Sequence, residues 1–223
     1  MHVKTDVIQI KSRWQTELIE SVTSVEELVT RLNLSPKLLS KGQKAALKFQ
    51  VRVPLSFIKR IRLGDPKDPL LLQILPVKEE LKKYEDYSQD PLNELNHNPK
   101  SCVIHKYRNR VLLVVSSFCA INCRYCFRRH FPYNQQHQDR RKWFSALEYV
   151  SKRPEINEVI FSGGDPLAAK DSLLSWLSKR IAKIPHVKRL RIHTRLPVVI
   201  PSRIDDELLL WMQSTRLKPI IVL

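Results

Sequence analysis

The second half of the chain alternates apolar, β-branched runs with amphipathic helical segments, and this alternation limits the fold more than any other feature. The runs VLLVVSS (111–117) and EVIFS (158–162) are as continuously apolar as strands buried on both faces. The run at 187–194 alternates with polar residues, so we expect it to be less buried. A β-α-β order with short connections predicts a parallel sheet, either open or curling into a barrel. The expected elements are strands at 111–117, 158–162, 187–194 and 219–223, and helices at 139–153, 171–184 and 203–215.

Before residue 100 the chain has a different character. The segments WQTELIESV (14–22) and PLSFIKRIRL (54–63) have helical periodicity. The prolines of GDPKDPLLLQILP forbid a long helix, and the polar YEDYSQDPLNELNHNPK (84–100) is typical of a linker or loop. We therefore predict a helical N-terminal region with an extended segment at 1–100 and an α/β unit at 101–223.

Several helix starts carry capping residues. Ser24 and Glu27 have the spacing of a capping box, and Ser35-Pro36 has the serine-proline pattern of a helix opening. For the helix at 171–184, the expected cap is Asp171 or Ser172.

The chain ends inside its fourth predicted strand. One interpretation is that this strand forms the edge of a complete sheet. We favour the other, a fragment of a longer protein, because a bare apolar edge strand is unprotected.

Composition limits the cellular setting. No apolar run is long enough to cross a bilayer, and the N-terminal segment lacks the pattern of a signal peptide, so we expect a cytoplasmic protein. The 39 basic and 22 acidic residues give a net charge of +17, which a solvated basic surface or an anionic partner can explain. Between Lys106 and Lys142 the sequence has a single acidic residue, Asp139. No RNA-binding pattern accompanies the charge, so nucleic acid is a minority interpretation.

Cys119, Cys123 and Cys126 follow the first predicted strand with the spacing C-x3-C-x2-C. They therefore lie at the carboxyl end of a parallel strand, where α/β folds build their active sites. Three thiolates can ligate three irons of a [4Fe–4S] cluster and leave the fourth iron open to a small chelating molecule. The alternatives are a zinc site completed by His130 or Cys102, or buried thiols without a role.

With an aromatic residue, Tyr125, before the last cysteine, this motif resembles the signature of the radical S-adenosylmethionine enzymes. The segment FSGGDPL (161–167), after the second predicted strand, resembles their glycine-rich segment, which contacts the amino group of S-adenosylmethionine. Gly163 and Gly164 allow the backbone to approach a ligand closely, and Asp165 offers a carboxylate to an ammonium group.

Longer segments resemble the lysine 2,3-aminomutases, and most closely the short bacterial branch that makes (R)-β-lysine for modification of translation elongation factor P. The resemblance covers nearly the whole chain. It is carried by HKYRNRVLLVVSSFCAINCRYCFRRHF (105–131), SGGDPL, RLRIHTRLPVVIPSRI (189–204), DPKDPLLLQILP and RVPLSFIKRI.

The resemblance implies a role for individual residues. Arg128 matches the arginine that grips the substrate carboxylate, and Tyr107 matches an aromatic residue near pyridoxal phosphate. Lys106 stands where some aminomutases have arginine. The implied cofactor ligands are Cys119, Cys123 and Cys126 for the cluster, and Tyr125, Ser162, Gly163, Gly164, Asp165 and Arg195 for S-adenosylmethionine, with a phosphate contact as the other assignment of Arg195.

The implied fold is a partial radical-SAM (β/α) barrel of parallel strands, about four of them present, preceded by a helical N-terminal region. The implied activity is the conversion of L-α-lysine to (R)-β-lysine, with elongation factor P as the protein to be modified and no membrane involved. The family's Schiff-base lysine for pyridoxal phosphate matches no lysine of this chain. The sequence leaves the oligomeric state open, a homo-oligomer included. Two rival functions are another radical S-adenosylmethionine enzyme, such as an RNA-modifying one, and a non-catalytic module that binds metal through its cysteines.

Overall fold

The computed structural model describes residues 12–136 and 139–223. The expectation of no signal peptide rests largely on residues 1–11, which lie outside the described residues. The strands form one five-stranded sheet in the order β1-β2-β3-β4-β5. Their bounds are β1 Val103–Tyr107, β2 Arg110–Ser116, β3 Glu158–Gly163, β4 Arg189–His193 and β5 Lys218–Val222.

The four predicted strands are confirmed as β2 to β5, and they pair in parallel. In the pairing of β2 with β3, Leu112 lies opposite Ile160, and in that of β3 with β4, Ile160 lies opposite Arg191. The spatial order of these strands follows the chain without the reversal that marks an open doubly wound sheet. The described strands therefore form a mixed α/β fold that is part of a (β/α) barrel.

The strand β1 was not predicted, and it makes the sheet mixed. It pairs antiparallel with β2 through a tight turn, with Ile104 opposite Leu112 and Tyr107 opposite Arg110. The segment is short, and only its first two residues are buried. Such a half-exposed run carries little apolar periodicity, so the pairing with β2 decides its conformation.

The predicted helices of the α/β unit are present with shorter bounds. Asp139 caps the first of them, since its carboxylate accepts the Lys142 N–H at 2.8 Å. The expected cap of the second is wrong: Lys170 holds the N-cap position, and Asp171 lies inside the first turn. The Asp171 carboxylate instead accepts from Arg203 Nη2 at 2.6 Å. The bounds are α5 Arg140–Ser151, α6 Asp171–Ala182 and α8 Asp206–Gln213, and a one-turn helix that was not predicted, α7, spans Leu196–Val199.

The N-terminal region contains short helices joined by turns. Ser24 Oγ accepts the Glu27 N–H at 3.0 Å, and a helix does begin after Pro36. The helix expected in PLSFIKRIRL is only one turn long. The bounds are α1 Arg13–Ile19, α2 Val25–Arg31, α3 Lys37–Lys48 and α4 Leu55–Ile58, with 3-10 turns at Leu71–Gln73, Lys78–Leu81 and Leu95–His97.

The N-terminal region shares its hydrophobic core with the α/β unit. One cluster of buried side chains runs from Trp14 and Phe57 to Leu113 and Phe161. The Arg203 side chain is fully buried, and its guanidinium lies 4.5 Å from the centre of the Trp14 ring. In the part of the chain that the structure describes, no helix has the length and apolarity to cross a membrane.

Candidate functional site

A cavity of about 350 Å³ lies where β2, β3 and β4 end. Its volume falls in the range that small-molecule sites occupy. Its walls combine the cysteines with the glycine-rich segment, as the strand ends predict. The lining includes Cys119, Cys123, Tyr125, Cys126, Arg128, Ser162, Gly163, Gly164, Asp165, His193 and Arg195.

The cysteine loop, residues 117–129, separates this cavity from a second one of about 300 Å³. All three cysteines line both cavities. Their thiols are half-buried and form no disulfide. The loop therefore has free space on two sides of its sulfur atoms.

The two glycines are required by the backbone of the end of β2 and the start of the cysteine loop. A Cβ on Gly164 would lie 2.5 Å from the Phe118 carbonyl oxygen, and one on Gly163 would lie 2.4 Å from that of Ser116. The Gly164 N–H donates to the Ser116 carbonyl at 2.6 Å, and the Asp165 N–H donates to that of Phe118 at 2.8 Å. The close approach inferred from the sequence is thus made by the protein's own backbone.

Asp165 ties the ends of β3 and β4 together. Its buried carboxylate accepts from Thr194 Oγ1 at 2.6 Å, from the Arg195 N–H at 2.7 Å and from the Leu167 N–H at 3.0 Å. Burial raises the pKa of this carboxyl despite these donors. Internal donors occupy most of its lone-pair positions, which leaves little capacity for a ligand's ammonium group.

Arg128 is buried and already paired. Its Nε and Nη2 atoms donate to the two oxygens of Glu94, each at 2.7 Å, and Nη1 donates to Ser162 Oγ at 2.9 Å. Burial opposes the charge of Arg128, but the hydrogen bonds and charge of Glu94 outweigh burial and raise the pKa of the guanidinium. The guanidinium is therefore held in one orientation at the cavity wall.

Arg195 reaches the cysteine loop from the end of β4. Its Nη1 atom donates to Cys123 Sγ at 2.7 Å, and its Nη2 atom donates to Gln73 Oε1. Its guanidinium lies 5.4 Å from the centre of the exposed Tyr125 ring. This contact places a positive charge beside the sulfur of a candidate cluster ligand, and hydrogen bonds to ligating sulfur atoms tune a bound cluster.

Sequence comparisons show which known proteins this chain is similar to. The family model described as the radical SAM superfamily matches residues 113–212. The chain is 47% identical over 216 residues to an L-lysine 2,3-aminomutase of Haemophilus influenzae, which covers 97% of this chain and 64% of that protein. It is 47% identical over 223 residues to an L-lysine 2,3-aminomutase of Escherichia coli, which covers 99% of this chain and 65% of that protein. Residues 113–212 thus match the radical SAM superfamily, and the chain is similar over nearly its whole length to L-lysine 2,3-aminomutases.

The chain spans a little under two thirds of the length of these relatives. Among relatives of 31–32% identity, most are also named L-lysine 2,3-aminomutase, and one is named for a different substrate. A glutamate 2,3-aminomutase of Clostridioides difficile is 31% identical over 196 residues, covering 87% of this chain and 46% of that protein.

The arrangement of the thiols fits the cluster that the radical SAM match implies. Cys119, Cys123 and Cys126 form no disulfide, and all three line the same two cavities. A [4Fe–4S] cluster takes each thiolate on a different iron, so its ligating sulfur atoms stand apart. Burial, with the nearby charges of Asp165 and the other cysteines, raises the pKa of Cys119 to about 12. Its thiol must therefore release a proton when it binds a metal.

Neither candidate for the fourth ligand of a zinc site, Cys102 or His130, is among the described residues that line the two cavities beside the cysteine loop. Cys102 is fully buried beside β1, and its N–H donates to Gln136 Oε1 at 2.7 Å. The His130 ring packs edge-on against Phe49. The placement of these two side chains therefore does not support the zinc alternative.

The residues matched to the pyridoxal phosphate site lie apart from the cavity. Tyr107 ends β1 with 60% of its side chain exposed, and its ring stacks on Arg110. Lys106 Nζ donates to the Leu92 carbonyl at 2.7 Å. The described residues do not assemble a pyridoxal phosphate site.

Three site residues were missed in the sequence. Glu94, the partner of Arg128, lies in a segment interpreted as a linker. Glu80, which accepts from Arg124 and Arg129 of the cysteine loop, lies in a turn without a motif. His193 follows the strand-end rule that found the cysteines, since it ends β4 and lines the cavity. Burial and the charges of Arg191 and Arg128 lower the pKa of His193 and favour the neutral imidazole.

Proposed function

We propose that this chain carries the S-adenosylmethionine-cleaving part of a lysine 2,3-aminomutase that converts L-α-lysine to (R)-β-lysine. The observation that carries the proposal is one cavity that unites three free cysteines, the glycine-rich segment and a buried arginine at the carboxyl ends of parallel strands. The relatives at 47% identity are named L-lysine 2,3-aminomutases, which supports lysine as the substrate, whereas at 31% identity both lysine and glutamate 2,3-aminomutases are found.

Each implied cofactor has candidate ligands among the described residues. Cys119, Cys123 and Cys126 would ligate a [4Fe–4S] cluster, and Ser162, Gly163, Gly164, Asp165, Tyr125 and Arg195 would line the site of S-adenosylmethionine. When bound, these two groups supply the one-electron chemistry that cleaves a sulfonium and starts a radical reaction. The protein orients the ligands and excludes water.

Arg128 would hold the substrate carboxylate. Glu94 and Ser162 use three of the five N–H donors of the guanidinium, and each terminal nitrogen keeps one. Two donors on neighbouring nitrogens can bind a carboxylate in a bidentate fork. Glu94 would then preserve the orientation of this fork without blocking it.

Anaerobic reconstitution with iron and sulfide tests the first half of the proposal. With dithionite and S-adenosylmethionine, the chain is expected to form 5′-deoxyadenosine and methionine. Cys119→Ala, Cys123→Ala and Cys126→Ala should each abolish this cleavage, whereas Cys102→Ala should retain iron. Binding of one zinc ion per chain, or a cluster that never cleaves S-adenosylmethionine, would contradict the proposal and favour a metal-binding module.

Product analysis tests the substrate. The protein at its natural length is incubated with lysine, glutamate or bulk RNA, and β-lysine is expected from lysine alone. Cleavage of S-adenosylmethionine that depends on RNA, without β-lysine, would favour an RNA-modifying enzyme, for which the net charge of +17 is the supporting observation.

We further propose that the β-lysine serves the modification of translation elongation factor P in the cytoplasm. The resemblance to the short bacterial branch supports this step. Incubation with free lysine and with lysine-bearing elongation factor P distinguishes two routes. β-Lysine among the small molecules indicates a free substrate, and β-lysine found only on the protein indicates a protein-bound one.

A further inference from the structure

Residues 71–81 of the N-terminal region form hydrogen bonds to the cysteine loop. We call this segment the N-terminal clamp. The Arg124 N–H donates to the Gln73 carbonyl at 2.8 Å. Arg124 Nη1 donates to the Leu72 carbonyl, also at 2.8 Å. These bonds hold the backbone of the loop directly after Cys123.

Glu80 joins the two arginines that flank Tyr125 and Cys126. Its Oε1 atom accepts from Arg124 Nε, and its Oε2 atom accepts from Arg129 Nη1. Arg129 Nη1 also donates to the Arg124 carbonyl at 3.2 Å, which closes a ring of contacts across this part of the loop. The Glu80 side chain is only 13% exposed, so the ion pairs are sheltered from solvent screening.

A second hold lies on the other side of Cys123. The Asn122 N–H donates to the Arg52 carbonyl at 3.1 Å, and Asn122 Nδ2 donates to the Gln50 carbonyl at 2.7 Å. Gln73 of the clamp also accepts from Arg195, which donates to Cys123 Sγ. The N-terminal region thus contacts the loop at both neighbours of Cys123.

Glu80 itself does not line the cavity that holds the cysteines and the glycine-rich segment. It acts on the loop only through Arg124 and Arg129. Without these contacts, a thirteen-residue loop that carries three ligands would have to lose conformational entropy when a cluster binds.

We propose that Glu80 is a positioning residue that holds the cysteine loop in its cluster-receiving shape before iron arrives. The N-terminal clamp is accordingly part of the cofactor site, although it contributes no ligand. This role rests on the cluster of the proposed function. It is tested through iron and the loop alone, so its failure would leave the proposed substrate and reaction product unaffected.

The test compares Glu80→Gln with Glu80→Asp and with Glu79→Gln, a matched control at an exposed neighbouring carboxylate. Each protein is reconstituted anaerobically, and iron per chain and the rate of iron release to a chelator are measured. Glu80→Gln is expected to load less iron and to release it on the order of 10-fold faster, the usual effect of losing an outer-shell partner. Glu80→Asp keeps the charge and should fall between Glu80→Gln and wild type, and Glu79→Gln should match wild type.

Hydrogen exchange on the iron-free proteins separates positioning from general stability. In Glu80→Gln we expect faster exchange at the amides of 122–129 and unchanged exchange in β2, β3 and β4. Iron release at the wild-type rate would overturn the proposal. So would an equal rise in exchange across the whole sheet, because Glu80 would then serve overall stability only.

Discussion

At the scale of single residues, Gly164 shows how closely the glycine-rich segment is fitted to the cysteine loop. A methyl group at this position would meet three backbone atoms of Phe118 between 2.5 and 2.8 Å. Backbone atoms cannot rotate away as a side chain can, so the loop itself would have to shift.

We therefore expect Gly164→Ala to lower the free energy of unfolding by about 3 kcal/mol, as overpacking at a rigid contact does, and to reduce iron loading. Urea denaturation and iron analysis measure the two effects. Gly64→Ala is the control: this glycine has φ +72° but no atom nearer than 3.9 Å to the added Cβ, so the cost should be about 1 kcal/mol of backbone strain. Equal losses in the two variants would contradict the steric argument.

The pair of Glu94 and Arg128 supplies a second prediction at this scale. Both side chains are buried, so Glu94→Gln leaves an arginine charge with a poorer partner. We expect the free energy of unfolding to fall by about 3 kcal/mol in urea. Glu85→Gln, an exposed position in the same segment, should change it by less than about 0.5 kcal/mol. A loss below about 1 kcal/mol in Glu94→Gln would contradict the expectation that this ion pair contributes strongly to the free energy of unfolding.

At the scale of elements, Glu158 connects the starts of β3 and β4. Its buried carboxylate accepts from Arg189 Nε at 3.0 Å and from Arg191 Nη2 at 3.1 Å. Burial alone would raise the pKa of this carboxyl, but the hydrogen bonds and charges of the arginines outweigh burial and lower it below the ordinary value of 4.5.

A carboxyl group with a lower pKa in the folded state than in the unfolded state stabilises the fold at pH values above its ordinary pKa. This contribution is lost as the pH falls through the lower pKa of the folded state. We expect wild type to exceed Glu158→Gln in the free energy of unfolding by about 2 kcal/mol at pH 7. The difference should shrink as the pH falls below 4.5. Urea denaturation of both proteins from pH 7 to pH 3 measures it, and a difference that grows on acidification would contradict the assignment.

The elements also show which patterns are readable locally. The strands β2 to β5 and the helices α5, α6 and α8 were predicted because each carries its own apolar period, whereas the single turn of α7 was not. β1 was not, because half of it is exposed and only its pairing with β2 defines it. Asp171 was misassigned as a cap because its true partners, Arg203 and Trp211, are 32 and 40 residues away in sequence.

At the scale of the whole molecule, the N-terminal region and the α/β unit have a continuous core. Contacts between them include Ser56 Oγ to the Val199 carbonyl at 2.9 Å and Ser202 Oγ to Glu17 Oε1 at 2.7 Å. The boundary predicted at residue 100 is therefore not expected to behave as a division between independent folding units.

We expect a single cooperative unfolding transition, with coincident midpoints by far-UV circular dichroism and by tryptophan fluorescence. Both are measured in urea with a thiol reductant present, so that oxidation of the cysteines does not split the curves. Two separated transitions would contradict the shared core and support the boundary at residue 100.

The sequence by itself determined the parallel pairing of the strands, the position of the cysteines and glycines at strand ends, and the family resemblance. Periodicity and strand polarity are local, and parallel strands bring their carboxyl ends to one edge whatever the rest of the chain does. Only the tertiary structure decided what holds those residues. Glu80 and Glu94 reach the cysteine loop across 44 and 34 residues of sequence, and Gln73 reaches Arg195 across 122. A single carboxylate in a turn has no periodic signal, so its partner becomes known only when the chain has folded.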